Sequence, residues 1–197
     1  MQHTQGPRMK HLTTFLLGTV LATSISTSAL AVEYKAIQPE KSKVTFQYKQ
    51  MGVAMDGRFK KFAAQLNFDP AKPAAAKADI EIDLASIDAG SSDADDEVVG
   101  KTWFNVKAFP KATFVAKQIK ANGANQFDVT GVLTIKGKSQ DIKFPLKLVT
   151  QGNAGVFTGG FVMRRADFAI GEGMWAKFDV VANDIQVNFQ LTAISGK

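Results

Sequence analysis

Apolar and polar residues alternate along most of this chain, and this two-residue period constrains its fold more than any other feature. Val44, Phe46 and Tyr48, for example, alternate with Thr45, Gln47 and Lys49. The same alternation recurs at residues 80–84, 127–135, 142–148 and 185–192, and residues 62–68, 113–119 and 156–163 are further strand candidates. Each such segment has one apolar face and one wet face, which is typical of an antiparallel β-strand.

Turn-forming residues separate these segments. Asp69-Pro70, Asn122-Gly123 and Gly152-Asn153 are typical turn pairs, and Lys136-Gly137-Lys138 predicts a β-hairpin. About eight strands, spaced by about ten residues, indicate a barrel or a sandwich. We therefore expect an all-β fold, in one domain that covers residues 32–197.

Residues 91–104 depart from the alternation. Ser92 followed three residues later by Asp95 resembles a capping box. Val99 and Trp103 are four residues apart, so they would share one face of a helix. We expect one short helix here, in a loop between two strands.

The acidic residues between Asp93 and Glu97 raise the alternative of a calcium site. An EF-hand loop needs a glycine at its sixth position and a carboxylate at its twelfth. Counted from Asp93, this chain has Val98 and Phe104 at those positions. We therefore predict no metal site.

Residues 1–31 have the pattern of a secretory signal peptide, preceded by a short upstream extension, with Met9 as the start. A basic start at Met9-Lys10 precedes the apolar run 15–22, and Ala29-Leu30-Ala31 has the small-x-small pattern of a cleavage site. The apolar run is shorter than the roughly 20 residues of a spanning helix, which disfavours the alternative of an uncleaved anchor. In a Gram-negative bacterium, the exported protein would be periplasmic.

The residues after the leader offer little for catalysis. The chain has no cysteine, and both histidines lie within the leader, so only Ser–Lys or carboxylate schemes remain. Ser139 and Lys138 are adjacent in sequence and would point to opposite faces of a strand, while Glu81 and Asp83 lie on the polar face of theirs. We predict no catalytic residue and no enzyme activity.

The charge of the chain argues against nucleic acid as a partner. Its formal net charge is +6, but the lysines are scattered along the sequence. Nucleic-acid binding needs a concentrated basic patch or stripe. We therefore expect no nucleic-acid partner.

The aromatic residues point to a hydrophobic small molecule as the ligand. The chain has 15 phenylalanines, most of them in strand candidates. A barrel of about eight strands is wide enough for one slender ligand, and a hydrocarbon chain gains roughly 0.8 kcal/mol per buried methylene. The predicted ligand-binding residues are Phe46, Phe62, Phe114, Phe127, Leu133, Phe144, Phe161, Phe168, Trp175 and Phe189.

The longest irregular connection, residues 161–175, leaves two interpretations open. Arg164 or Arg165 could pair with Asp167 and pin the connection, or either could contact the polar head group of a ligand. Long ordered loops in compact domains are often functional. We also expect the loop aromatics Trp103 and Trp175 to gate ligand uptake.

Several segments, in order, resemble the YceI-like family of exported bacterial proteins. Residues 34–35 and 42–46 match its opening, and residues 57–62 (GRFKKF) are similar to its G-x-F-x-x-F segment. Residues 104–114 (FNVKAFPKATF) carry the most specific match, with a central Phe-Pro pair. Residues 129–137 (VTGVLTIKG) and 165–168 (RADF) resemble its later segments.

This resemblance implies a lipocalin-like antiparallel β-barrel whose elongated interior holds an amphiphile. The implied function is a soluble periplasmic carrier for a long-chain isoprenoid, an isoprenoid quinone or a similar lipid. No cofactor is required, although a bound polyprenyl lipid or quinone is compatible with the family. The alternative is an accessory module for membrane electron transport, and the partners left open are a membrane surface, a membrane cytochrome and a second copy in a homodimer.

Overall fold

The computed structural model describes residues 1–3 and 32–196. The signal peptide and cleavage site predicted within residues 1–31 fall almost wholly outside the described residues.

In residues 32–196, eleven antiparallel strands form one curled sheet. Their bounds are β1 (Glu33–Ile37), β2 (Lys43–Gln50), β3 (Val53–Phe59), β4 (Phe62–Asn67), β5 (Lys77–Asp83), β6 (Ile87–Asp88), β7 (Lys111–Ala121), β8 (Gln126–Ile135), β9 (Lys138–Gln151), β10 (Ala154–Arg164) and β11 (Asp184–Gly196). Their order is β4-β5-β7-β8-β9-β10-β11-β2-β3-β6, and β1 pairs with β11. The all-β, lipocalin-like architecture expected from the sequence is confirmed.

The expected number of about eight strands was too low, because three strands lack a clear alternation. β1 has five residues and β6 has two, so neither is long enough for a period to be recognised. β3 contains the run Asp56-Gly57-Arg58, which interrupts its apolar pattern. All eight segments that the sequence indicated as strands are strands.

β1 closes the curled sheet at one end. It pairs with the last residues of β11, from Glu33↔Gly196 to Ile37↔Ala193. The N–H of Tyr34 donates to the carbonyl of Phe68 at 2.9 Å, and the N–H of Phe68 donates back at 3.0 Å. Because Phe68 directly follows β4, the first strand in the sheet order, this bridge completes a ring of strands.

Aromatic side chains fill the interior at this closed end. Tyr34, Phe68, Phe127 and Phe157 are all at most 3% exposed, and we call them the plug. Their rings pack edge to face, with centroid distances of 5.0 Å for Phe68–Phe127 and 5.2 Å for Phe68–Phe157. Buried aromatic pairs in this geometry add packing energy beyond their area, so this half of the barrel is a solid core.

The helix α1 (Ser92–Val98) lies in the connection between β6 and β7. The N-cap is Ser91, whose side chain accepts a hydrogen bond from the first turn, one residue earlier than the expected capping box at Ser92. The Asp95 carboxylate instead accepts a hydrogen bond from the backbone N–H of Ala89, which precedes the helix. The helix ends at Val98, so the expected helical face shared by Val99 and Trp103 does not form.

Candidate functional site

Beyond the plug, the barrel interior contains a cavity of about 490 Å³. This volume lies within the roughly 300–1,000 Å³ of typical small-molecule sites. Apolar residues of the strands face into it, among them Tyr48, Ile80, Ile82, Met163, Ile185 and Val187. The period-two alternation places these side chains on one face of each strand, and the curl of the sheet turns that face inward.

Four phenyl rings form the floor of the cavity. Phe144 is central, with ring centroids at 5.4 Å from Phe114, 5.6 Å from Phe161 and 5.4 Å from Phe189. All four rings line the cavity, and Phe144 also belongs to the packed cluster that contains the plug. The floor therefore separates the hollow half of the barrel from the solid half.

Two glycines keep wall rings out of the cavity's centre. Gly57 pairs in register with Phe46, and Gly159 pairs with Phe189. A Cβ on either glycine would collide with the facing ring. Each ring can therefore lie against the neighbouring strand, which leaves the interior open.

Polar residues mark the mouth of the cavity. Ser91, Asp93 and Glu97 line the cavity and are also exposed to solvent, so the opening lies beside α1. Trp175 Nε1 donates to Glu97 Oε1 at 2.7 Å. This hydrogen bond, which we call the latch, joins α1 to the short turn Gly173–Trp175 across the mouth.

The two tryptophans contact each other beside this opening. The rings of Trp103 and Trp175 are 5.6 Å apart, and both line the cavity. Trp103 is 7% exposed, whereas Trp175 is half-buried. Of the two expected gating residues, only Trp175 therefore lies at the solvent boundary, and gating itself stays a prediction.

Arg165 is buried under the connection that follows β10, with 1% of its surface exposed. Its guanidinium donates to six backbone carbonyl oxygens at 2.7–3.3 Å: those of Ile170, Gly171, Trp175, Lys177, Val181 and Ala182. The group also lies 5.5 Å from the Trp103 ring centroid and 5.2 Å from that of Phe178. Burial lowers the pKa of Arg165, but a guanidinium stays charged in proteins.

These contacts decide between the two interpretations of the connection. Arg164 pairs with Asp167, with Nε and one Nη at 3.0 Å and 2.9 Å from the carboxylate. Arg165 pins the connection through its carbonyls, and all five of its N–H donors are used. Arg165 borders the cavity but has no donor left for a ligand head group.

Ion pairing and burial shift two further pKa values near the mouth. Lys136 donates to the Glu172 carboxylate at 2.8 Å and to the Ala169 carbonyl at 2.6 Å. The hydrogen bond between Lys136 and Glu172 lowers the pKa of the Glu172 carboxyl.

Tyr48 donates to the Ala89 carbonyl at 2.8 Å. Burial, with a smaller contribution from the Asp95 charge, raises the pKa of Tyr48, so its hydroxyl stays protonated at neutral pH.

The structure brings seven of the ten predicted ligand-binding residues to the cavity wall: Phe46, Phe114, Leu133, Phe144, Phe161, Trp175 and Phe189. The other three lie elsewhere, which corrects their expected place. Phe127 is part of the plug, and Phe62 packs against that cluster from the side. Phe168, 2% exposed, is buried beneath the connection against Trp103 and Ile170. Contact between the seven and a ligand stays a prediction.

Several wall residues were not predicted from the sequence, for two different reasons. Tyr48, Ile82 and Val187 share a strand face with residues of the predicted strands, so the alternation alone could have identified them. Phe104 and Val181 lie in irregular segments, where no period indicates which way a side chain points.

The carboxylates near α1 make hydrogen bonds within the protein. Asp95 is hydrogen-bonded to the backbone at Ala89 and Glu97 to Trp175. In the part of the chain that the structure describes, no three His, Cys, Asp or Glu side chains converge as metal ligands would.

Within the described residues, no helix combines the length and apolar character needed to cross a bilayer.

Comparison with known proteins agrees with this architecture. A family model described as the YceI-like domain matches residues 35–193. The UPF0312 protein of Yersinia pestis (strain Pestoides F) is 34% identical over 152 residues, which cover 74% of this chain and 79% of that protein. The crystal structure of Burkholderia cenocepacia BcnA is 43% identical, with a TM-score of 0.77 over 80% of this chain and 99% of that one.

A more distant structure shares the fold. It is a polyisoprenoid binding domain from Saccharophagus degradans, 17% identical, with a TM-score of 0.67 over 84% of this chain and 99% of that one. The matched family model spans the barrel from β1 to β11, including the helix α1 and all seven predicted residues at the cavity wall. The chain belongs to the YceI-like family.

Proposed function

We propose that this protein is a carrier that encloses the hydrocarbon chain of a long-chain isoprenoid or similar amphiphile inside its barrel. The observation that carries the proposal is the 490 Å³ cavity, closed at one end by packed aromatic rings and lined by apolar side chains. Burial of a hydrocarbon chain there is favourable because each methylene leaves water. Enclosure needs no catalytic group, so the proposed activity is binding and not turnover.

The shape of the cavity suggests how the ligand lies. The chain would extend from the mouth to the floor around Phe144, and the head group would remain near Ser91, Asp93 and Glu97. These carboxylates disfavour an anionic head group, because like charges repel. Arg165 offers no compensating donor, since backbone carbonyls occupy all of its N–H groups. A neutral head group, such as an alcohol or a quinone ring, fits this mouth best.

Two further points support the proposal. The Saccharophagus degradans domain, described as a polyisoprenoid binding domain, has the same fold, which supports the proposal by analogy. The leader pattern of residues 1–31 supports export to the periplasm. There, a water-insoluble lipid needs a protein shell in order to move between membranes.

Native mass spectrometry tests the proposal. The protein, extracted gently from its source cells, should carry an adduct with the mass of a prenyl lipid. Leu133 lines the cavity, so the Leu133→Trp variant should fill it and lose the adduct. Val149 lies on the outer surface of β9, and Val149→Trp should keep the adduct as the matched control. The proposal is wrong if the native protein has no adduct and fails to bind added prenyl alcohols.

A further inference from the structure

The largest exposed apolar side chains gather at the mouth end of the barrel. In residues 32–196, the three most exposed large hydrophobic residues are Met174 at 82%, Met51 at 72% and Val53 at 61%. Phe178, at 50%, lies in the same connection as Met174. We call these four residues the apolar rim. Exposed apolar clusters of this kind mark interaction sites, whereas single exposed hydrophobic residues are ordinary.

Backbone hydrogen bonds join the two segments that carry the rim. The N–H of Met51, at the tip of the β2–β3 hairpin, donates to the carbonyl of Val180 at 2.8 Å. The N–H of Ala182 donates to the carbonyl of Lys49 at 2.9 Å. The hairpin tip and the connection therefore form one surface with a fixed relative position.

This surface borders the mouth of the cavity. Gln50, which precedes Met51, lines the cavity, and so do Trp175, which follows Met174, and Val181. On this side of the mouth, the apolar wall thus continues outward to the rim. The latch joins the same connection to α1, whose exposed acidic residues Asp93, Asp96 and Glu97 favour water.

We infer that the apolar rim seats the protein on the surface of a phospholipid bilayer, with the mouth facing the lipid. The inference rests on the proposed function, since a carrier of a membrane-dissolved lipid must exchange it with a bilayer. With the rim inserted and α1 in water, a chain could pass between hydrocarbon and cavity along a mainly apolar route. The rim residues sit on a hairpin tip and an irregular connection, a shape that suits insertion among lipids better than a flat contact with a second copy.

The charges beside the rim indicate what kind of lipid surface is favoured. Lys177 and Asp179 flank Phe178, and Asp56, which accepts a hydrogen bond from Gln47 on β2 at 2.9 Å, lies on the strand that pairs with the one carrying Lys49. These opposite charges leave no basic patch that would select anionic lipids, which usually attract clusters of lysine and arginine. Binding should therefore depend on apolar insertion, vary little with salt, and be weak and reversible like that of a single lipid anchor.

Vesicle flotation tests the inference, with vesicles of phosphatidylcholine and phosphatidylethanolamine, with or without phosphatidylglycerol. The variant Met51→Ser/Val53→Ser/Met174→Ser should float about tenfold less than the native protein, because it loses apolar insertion. The matched control, Val115→Ser/Val149→Ser/Val162→Ser, changes exposed valines on other strands and should float like the native protein. All three proteins share the same N-terminal residues, so a difference between them reports on the rim.

Uptake of a prenyl alcohol from detergent separates this inference from the proposed function. None of the three changed rim residues lines the cavity, so the rim variant should still take up the alcohol. The inference is overturned if the native protein binds the alcohol but does not float, or if both triple variants float equally. It is also overturned if the rim substitutions change only the oligomeric state of the protein, from dimer to monomer. If the native protein does not take up the alcohol, the proposed function itself is overturned.

Discussion

Arg165 organises the connection that frames one side of the mouth, because its guanidinium binds carbonyls from several points along that connection. These carbonyls belong to residues 170–182. Hydrogen bonds from a charged donor are roughly twice as strong as neutral ones. Removal of the donor leaves several buried carbonyl oxygens without a partner, at a cost of about 1–3 kcal/mol for each group.

We therefore expect Arg165→Met to lower the free energy of unfolding by about 3 kcal/mol or more, as measured by urea denaturation. Arg164→Met is the matched control, because Arg164 is exposed and makes a surface ion pair with Asp167. Its effect should stay within about 1 kcal/mol. Equal effects of the two substitutions would contradict the role assigned to Arg165.

The pair of Lys136 and Glu172 makes a small pH-dependent contribution to stability. Its hydrogen bond lowers the folded-state pKa of Glu172, so the charged carboxylate favours the folded state. This contribution is present above the ordinary glutamate pKa of about 4.3 and is lost as the pH falls through the lower folded-state value. The native protein should therefore melt at a higher temperature than Glu172→Gln at neutral pH, and the gap should close in acid. A gap that is the same at every pH would refute this assignment.

Among the elements, we expect the latch between α1 and the turn Gly173–Trp175 to control opening of the mouth. Loss of one hydrogen bond of about 0.5–1.5 kcal/mol should speed ligand release by roughly twofold to tenfold in Glu97→Ala. Glu97→Gln keeps an acceptor oxygen and should release ligand at nearly the native rate. Both variants keep Trp103 and Trp175, the two tryptophans of the chain, so stopped-flow tryptophan fluorescence can follow release. Identical rates for the two variants would rule out the latch.

The strands also reveal what a sequence pattern can and cannot predict. Alternation correctly indicated the inward face of β8, on which both Phe127 and Leu133 lie. It could not indicate depth along the barrel axis, and so it could not distinguish Phe127 in the plug from Leu133 at the cavity. That difference arises from the bridge between Tyr34 and Phe68, a contact between segments that are far apart in sequence.

Irregular segments were harder to interpret. The sequence of residues 164–168 correctly indicated that an arginine pins the connection. Because Arg164 and Arg165 are adjacent, it could not indicate which of them pairs with Asp167 and which binds the backbone carbonyls. The five-residue strand β1 carried no alternation, although it closes the barrel. Local patterns report on local geometry, whereas these roles depend on tertiary contacts.

The barrel formed by residues 32–196 combines a solid half with a hollow half. The plug stabilises the fold through buried aromatic contacts, and the other half keeps a volume that side chains do not fill. Close packing is the rule in protein interiors, and empty apolar space is destabilising. A cavity retained at such a cost is consistent with an interior that a ligand fills.

Under the proposed function, the length of hydrocarbon inserted into this cavity provides the binding free energy. Calorimetry with prenyl alcohols of increasing chain length measures this dependence. We expect the affinity to rise by at least about tenfold per isoprene unit, given roughly 0.8 kcal/mol per buried methylene, and to level off once the cavity is full. The dependence should disappear in Leu133→Trp. An affinity that does not change with chain length, or a full dependence in the filled variant, would show that the cavity does not bind the hydrocarbon chain.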